Sequence, residues 1–170
     1  MKKNNWIIKV FLITFILSIT FTFLTNTISN NTSIIFNIII MFLVIFIGIF
    51  FDMIGTAVLT CNEASFHAMS SKKVRGSKIA IKFIKNNNKV ASFCNDIVGD
   101  ICGIISGGLG AVLAISLADK FNITLVTIII SAVISSLTVG GKAIFKTIAI
   151  KNADNIIYFV SKILSVFSKN

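Results

Sequence analysis

Four apolar runs, each about as long as a bilayer is thick, constrain this chain more than any other feature. A spanning helix needs roughly 20 predominantly apolar residues. Residues 6–27, 33–61, 90–118 and 121–139 meet that length. The first carries a single charge, Lys9, close enough to its end for the side chain to reach the interface. The second is interrupted only by Asp52, and the third opens with Asp96 and Asp100. The fourth reaches Gly140-Gly141 and is expected to continue as helix to about 147. Hydrophobic residues make up 55 % of the chain, charged ones 13 %, and Pro is absent. A soluble domain has a larger polar share and Gly- and Pro-rich loops. The expected fold class is an all-α integral membrane protein of four transmembrane helices, with a cytoplasmic juxtamembrane helical hairpin and a C-terminal amphipathic helix. Met1-Lys2-Lys3 before an apolar run resembles a signal peptide, but the run is long and no small-x-small cleavage site follows, so it reads as a retained span.

The linkers set the orientation. Residues 28–32 carry no charge, and the link at 119–120 holds one Asp and one Lys. The stretch 62–89 holds Lys72, Lys73, Arg75, Lys78, Lys82, Lys85 and Lys89 against Glu63 alone. The tail adds Lys142, Lys146, Lys151, Lys162 and Lys169 against Asp154. Excess Lys and Arg mark cytoplasmic segments, which puts the N-terminus, the middle loop and the tail on the cytoplasmic side of the cell membrane. Basic residues beside apolar spans also explain the net charge of +10 as contact with anionic lipid, so nucleic acid is not expected as a partner.

In the middle loop, Ile79, Ile81, Phe83 and Ile84 alternate with Lys78, Lys82 and Lys85, with Asn86-Asn87-Asn88 as a stop, which suits an interfacial helix. The tail, 150–170, is patterned alike and is too short and lysine-flanked for a fifth span; it lies on the interface or packs on the bundle. In the third span Gly99, Gly103 and Gly107 recur every four residues, a stripe that lets another helix approach, as in a homodimer seam; the plainer reading is the general tolerance of membrane helices for glycine.

Polar groups inside the spans are costly and tend to mark a pathway or a pair. Asp52, Thr56, Thr60 and Glu63 are spaced 4, 4 and 3 apart, one face of a continuous helix. Asn95, Asp96, Gly99, Asp100 and Gly103 form a second polar strip at the same end. Carboxylate, hydroxyl and amide oxygens are the ligand set of hard cations such as magnesium or calcium. Against this, membrane threonines often bond their own i−4 carbonyl, and an interfacial Asp often pairs with a nearby Lys. His67 is alone and interfacial in character. Cys61, Cys94 and Cys102 lack paired spacing and read as small buried hydrophobes. No nucleophile–base motif, phosphate loop or metalloprotease motif is present, so neither an enzyme nor an organic cofactor is expected. The abundance of Lys, Asn and Ile points to an AT-biased bacterial genome.

Several of these segments together resemble the membrane domain of the cyclin M / CorC (CNNM/CorB) magnesium transporters. Thr60-Cys61-Asn62-Glu63-Ala64-Ser65-Phe66 is similar to the end of that family's first conserved helix, whose paired serines would be Thr56 and Thr60 here and whose acid would be Glu63. Gly76 to Asn86 looks like its cytoplasmic hairpin. Cys94-Asn95-Asp96-Ile97-Val98-Gly99-Asp100 resembles its Gly-Asn-x-x-x-Asn segment, with either Asn95 or Asp96 at the ligand asparagine. Gly141-Lys142-Ala143-Ile144-Phe145-Lys146-Thr147-Ile148-Ala149 resembles Gly-Glu-x-x-Pro-Lys-x-x-Ala, with Lys142 replacing Glu, Phe145 replacing Pro, and Gly141 and Lys146 retained. No CBS or CorC C-terminal domain follows within these residues. The resemblance implies a transporter-like domain over 33–170 after an additional span and short external loop at 1–32. It also implies binding and movement of magnesium or cobalt, with sodium as a coupling ion. The expected oxygen ligands are Asp52, Thr56, Thr60, Asn95, Asp96 and Asp100. Expected partners are the lipid bilayer, a second copy of the chain, and a separate cytoplasmic regulator. The alternative is a scaffold or regulatory subunit that kept the fold and lost the ion, with Lys142 pairing with Asp96 or Asp100. A lytic pore fits less well, because the polar strips sit at one end.

Overall fold

The structure, a computed structural model, describes residues 2–121 and 124–167, and all the secondary structure among them is helical. The elements are α1 (Lys2–Asn31), α2 (Ile34–Thr60), α3 (Glu63–Ser71), α4 (Ser77–Lys85) and α5 (Asn87–Ser92). A π-helical turn (Phe93–Gly99) leads from α5 into α6 (Asp100–Phe121), followed by α7 (Thr124–Lys151) and α8 (Ala153–Phe167). Three helical stretches are long and apolar enough to cross a membrane: Ile34–Thr60, Asn87–Leu117 and Thr127–Lys151. The first expected span, 6–27, falls within α1, where the described apolar stretch is the shorter Phe11–Phe23; several side chains of that span lie outside the described residues. The expected link at 119–120 is helical, since α6 runs on to Phe121, and Asn122 and Ile123 lie outside the described residues, as does Lys169.

The chain forms two compact units. One comprises residues 1–49 and 97–141, the other 50–96 and 142–170. In the first unit α1 packs along α6. Helices approach closely where a side chain is missing. A Cβ on Gly48 would come within 2.8 Å of the Cys102 Cβ, and one on Gly110 within 2.7 Å of Ile134 Cδ1. Small residues of this kind let membrane helices gain packing without a hydrophobic drive. At the start of α2, buried Asn37 accepts a hydrogen bond from Thr32 Oγ1 (2.9 Å) through Oδ1.

The second unit is built on short helices around a core that includes Ile54, Val58, Phe66, Ala80, Ile84 and Ile157. Its corners are specified by polar side chains. α2 stops at Thr60, and Asn62, in extended backbone (φ −89°, ψ 114°), caps α3 by accepting from Ala64 N (3.0 Å). The backbone N–H of Asn62 donates to Asp154 Oδ1 (2.8 Å), tying that corner to the first turn of α8. Between α3 and α4 the chain reverses through Lys73 (φ 55°) and Gly76 (φ 89°). Gly76 is needed twice over: its φ is left-handed, and a Cβ there would sit 2.9 Å from the Lys162 amide nitrogen. The expected stop at Asn86-Asn87-Asn88 is briefer than its composition suggests. Asn86 leaves helical geometry (φ −114°, ψ 28°), and α5 begins at the next residue.

Candidate ion-binding site

The polar end of α2 belongs to the second unit. Asp52 is half-buried and Thr56 is buried one turn later. Thr60 is exposed, and its Oγ1 donates to the Thr56 carbonyl (3.1 Å). That is the i−4 bonding typical of membrane threonines, and it leaves the oxygen's lone pairs unused. Glu63 does not share this face. α2 ends before it, so Glu63 opens α3 and its carboxylate lies 3.2 Å from His67 Nε2, both side chains about half exposed (49 % and 53 %). The even 4-4-3 spacing assumed a helix that continues, and the Asn62 cap breaks it.

The second polar strip divides in the same way. Residues 93–99 are wound with i→i+5 hydrogen bonds, wider than α-helical winding, so neighbouring polar residues turn to different surroundings. Asn95 faces α2 and seats its amide over Gly55, so closely that a Cβ on Gly55 would overlap Asn95 Oδ1. Gly55, next to Thr56, is the vacancy that admits it. Asp96 is exposed and accepts a hydrogen bond from Ser92 Oγ (2.7 Å). Asp100, also exposed, belongs to the other unit. In the second unit Asn95 thus meets Gly55, the neighbour of buried Thr56, with Asp52 one turn earlier on α2, while Thr60 and Asp96 lie at exposed positions.

Asn95 Oδ1 is buried and has no hydrogen-bond partner. A buried carbonyl-type oxygen left unsatisfied is costly, and such groups call for a water, an ion or a moving partner. No group of three or more His, Cys, Asp or Glu side chains placed to hold a metal occurs among the described residues. A cation held here would therefore rest on amide and hydroxyl oxygens beside one carboxylate. Cys94 and Cys102 are buried, Cys61 is half-buried, and all three are free thiols.

The other positions singled out in the sequence lie elsewhere. Gly99 is buried, whereas Cβ atoms on Gly103 and Gly107 would meet nothing within 4 Å. These two glycines line a groove of about 240 Å³ in the first unit, facing Ser131, Ser135 and Thr138 of α7. Lys142 is half-buried, Lys146 is exposed, and α7 runs unbroken through both. A proline at 145 would remove a backbone donor and kink the helix; Phe145 leaves it intact. Gly55 and Asp154 escaped sequence reasoning. Gly55 has a local signal, a glycine directly beside Thr56, whereas Asp154 has none, because its partner is 92 residues away.

Helical stretches long and apolar enough to cross a bilayer define a helical membrane protein, and one buried amide oxygen faces the polar end of α2. The sequence pattern of the cyclin M transmembrane N-terminal domain matches residues 38–169, and the chain belongs to that family. Membership relates it to divalent-cation transport across membranes. No curated protein matches the chain, and neither does any solved structure.

Proposed function

We propose that this protein binds a divalent cation, magnesium foremost with cobalt as a substitute, and moves it across the cell membrane by alternating exposure of a site on the second unit. The observation that carries this reading is the orphaned Asn95 Oδ1, aimed at α2 over Gly55 beside Thr56. With the Thr56 hydroxyl and the Asp52 carboxylate one turn earlier, it gives the hard, mostly neutral oxygen set that suits an ion keeping several of its waters. Of the two candidates for the family's ligand asparagine, Asn95 is the one turned inward. Thr60 and Asp96 contribute further oxygens or negative charge rather than the centre of the site. Sodium is the coupling ion the family resemblance implies, and no chemical step on a substrate is part of the activity. Four spans with both termini cytoplasmic, a homodimer seam along the open Gly103 and Gly107 rather than buried Gly99, and a separate cytoplasmic regulatory partner complete the reading.

The test is thermal unfolding of the purified protein with and without magnesium. At a hundredfold excess over Kd, a ligand specific to the folded state stabilises by about 2.7 kcal/mol. Asn95→Leu separates binding from folding. Replacing an unpartnered acceptor with an apolar side chain of similar size costs little or stabilises. The variant is therefore expected to be as stable as wild type without magnesium and to lose the magnesium response. A wild-type protein that does not respond to magnesium would overturn the reading.

One observation favours a second reading, a scaffold or regulatory subunit that keeps the fold without the ion. Lys142 stands where the family pattern has Glu, and Phe145 where it has Pro, on an uninterrupted α7. Lys142→Glu is expected to strengthen magnesium binding in the transporter and to weaken only the fold in the scaffold.

A further inference from the structure

A groove of about 470 Å³ lies in the second unit, walled by α2, α4, α5, the π turn and α8. Phe51 and Ile54 of α2, Phe83 of α4, Phe93 of the π turn and Leu164 of α8 line it, and its one charged wall residue is Lys89. Phe93 and Leu164 are 51 % and 39 % exposed, so the groove is open rather than a sealed core void. Phe51 and Ile54 sit in the last turns of one membrane-length helix, and Lys89 and Phe93 in the first turns of the next. The basic loop joins those two ends, which fixes this depth as the zone where acyl chains meet headgroups. The second unit also carries twelve Lys and Arg against four acids, so it holds +8 of the chain's net charge of +10. Lys82 and Lys85 are exposed on α4, and Lys162 of α8 lies over the Tyr158 ring (5.9 Å to its centroid). An apolar slot with a lone cation at the headgroup level, in a unit of strong net positive charge, is complementary to one occupant in particular.

We propose that this groove is a binding site for an anionic phospholipid from the bilayer, one acyl chain lying between α2 and α8 and the phosphate at Lys89. The lipid braces the amphipathic α8 against α2, and the site is separate from the ion reading: neither requires the other. Lipid selectivity follows from the cations, because each Lys near the surface favours an anionic headgroup about fivefold.

The experiment is native mass spectrometry of the full chain, together with thermal unfolding, in neutral detergent with added phosphatidylglycerol or phosphatidylcholine. Wild type is expected to retain phosphatidylglycerol preferentially and to unfold at a higher temperature with it. Lys89→Glu is expected to lose at least about fivefold of that preference. Lys9→Glu, an exposed charge in the other unit, is expected to keep it. Leu164→Trp fills the slot at an already exposed position and is expected to lower retention of both lipids while the protein stays folded. Equal retention of the two lipids by wild type overturns the proposal. So does equal loss of preference in Lys9→Glu, which would reveal general charge attraction. If Leu164→Trp leaves lipid retention unchanged but splits a dimer into monomers, the groove is a subunit interface and the proposal also falls.

Discussion

The two units meet the same demand, the burial of apolar surface, with different emphasis. In the first, long helices leave large side chains uncovered: Phe46 is 61 % exposed and Ile35 71 %. In water such faces would be an aggregation hazard, but between membrane-length helices they are the surface a bilayer covers. In the second, Phe66 and Ile157 are fully buried, and short helices are stopped and turned by Asn62, Gly76 and Asn86. Lipid supplies the solvent for one unit. The other closes a core around Phe66 and Ile157 and caps its own short helices, and that is where the inward-turned Asn95 and the apolar groove occur.

This contrast makes phenylalanine truncation the strongest test. Phe66→Ala is expected to cost about 3–5 kcal/mol through lost burial and the cavity left behind, whereas Phe46→Ala is expected to stay within about 0.5 kcal/mol. Detergent-solubilised unfolding curves measure both, and equal costs would break the distinction between lipid-covered and self-covered surface. Glycine substitution sharpens it further. Gly76→Ala forces a left-handed residue and presses a methyl on the Lys162 backbone, so a loss of about 2 kcal/mol is expected. Gly107→Ala, with open space around its Cβ position, is expected to gain about 0.5–1 kcal/mol from helix propensity. The smallest effect concerns the corner at Asn62. Asp154→Ala removes the acceptor of its N–H and is expected to cost about 1 kcal/mol, part of it recovered in Asp154→Asn. Faster amide exchange at Asn62 in the Ala variant locates the loss.

Much of the helical plan was legible in the sequence. Ile34–Thr60 and Asn87–Leu117 fall within a few residues of the expected second and third spans, because an unbroken apolar run without Pro has no other way to satisfy its backbone in a bilayer. The helical character of the basic loop was legible too, from Ile79, Ile81, Phe83 and Ile84 alternating with Lys78, Lys82 and Lys85, although the face that is buried is Ser77, Ala80 and Ile84. The pocket was legible only as a set of residue types. Its spacing argument assumed ideal α-helix on both strands of the strip. The Asn62 cap removes Glu63 from the α2 face, and the π turn sends Asn95 inward while Asp96 stays outside. An i→i+5 winding leaves no mark on composition or periodicity.

Hydropathy and charge by themselves determined that this chain is helical, that it belongs in a membrane, and which segments are basic. These are one-dimensional properties, set by transfer free energy along the sequence. Tertiary structure alone decided that Asn95 meets Gly55, that Asp154 holds the Asn62 amide, and that Lys89 closes an apolar slot. Each depends on which residues from distant parts of the chain are packed into contact, and packing is settled by shape and unsatisfied polar groups rather than by hydrophobicity.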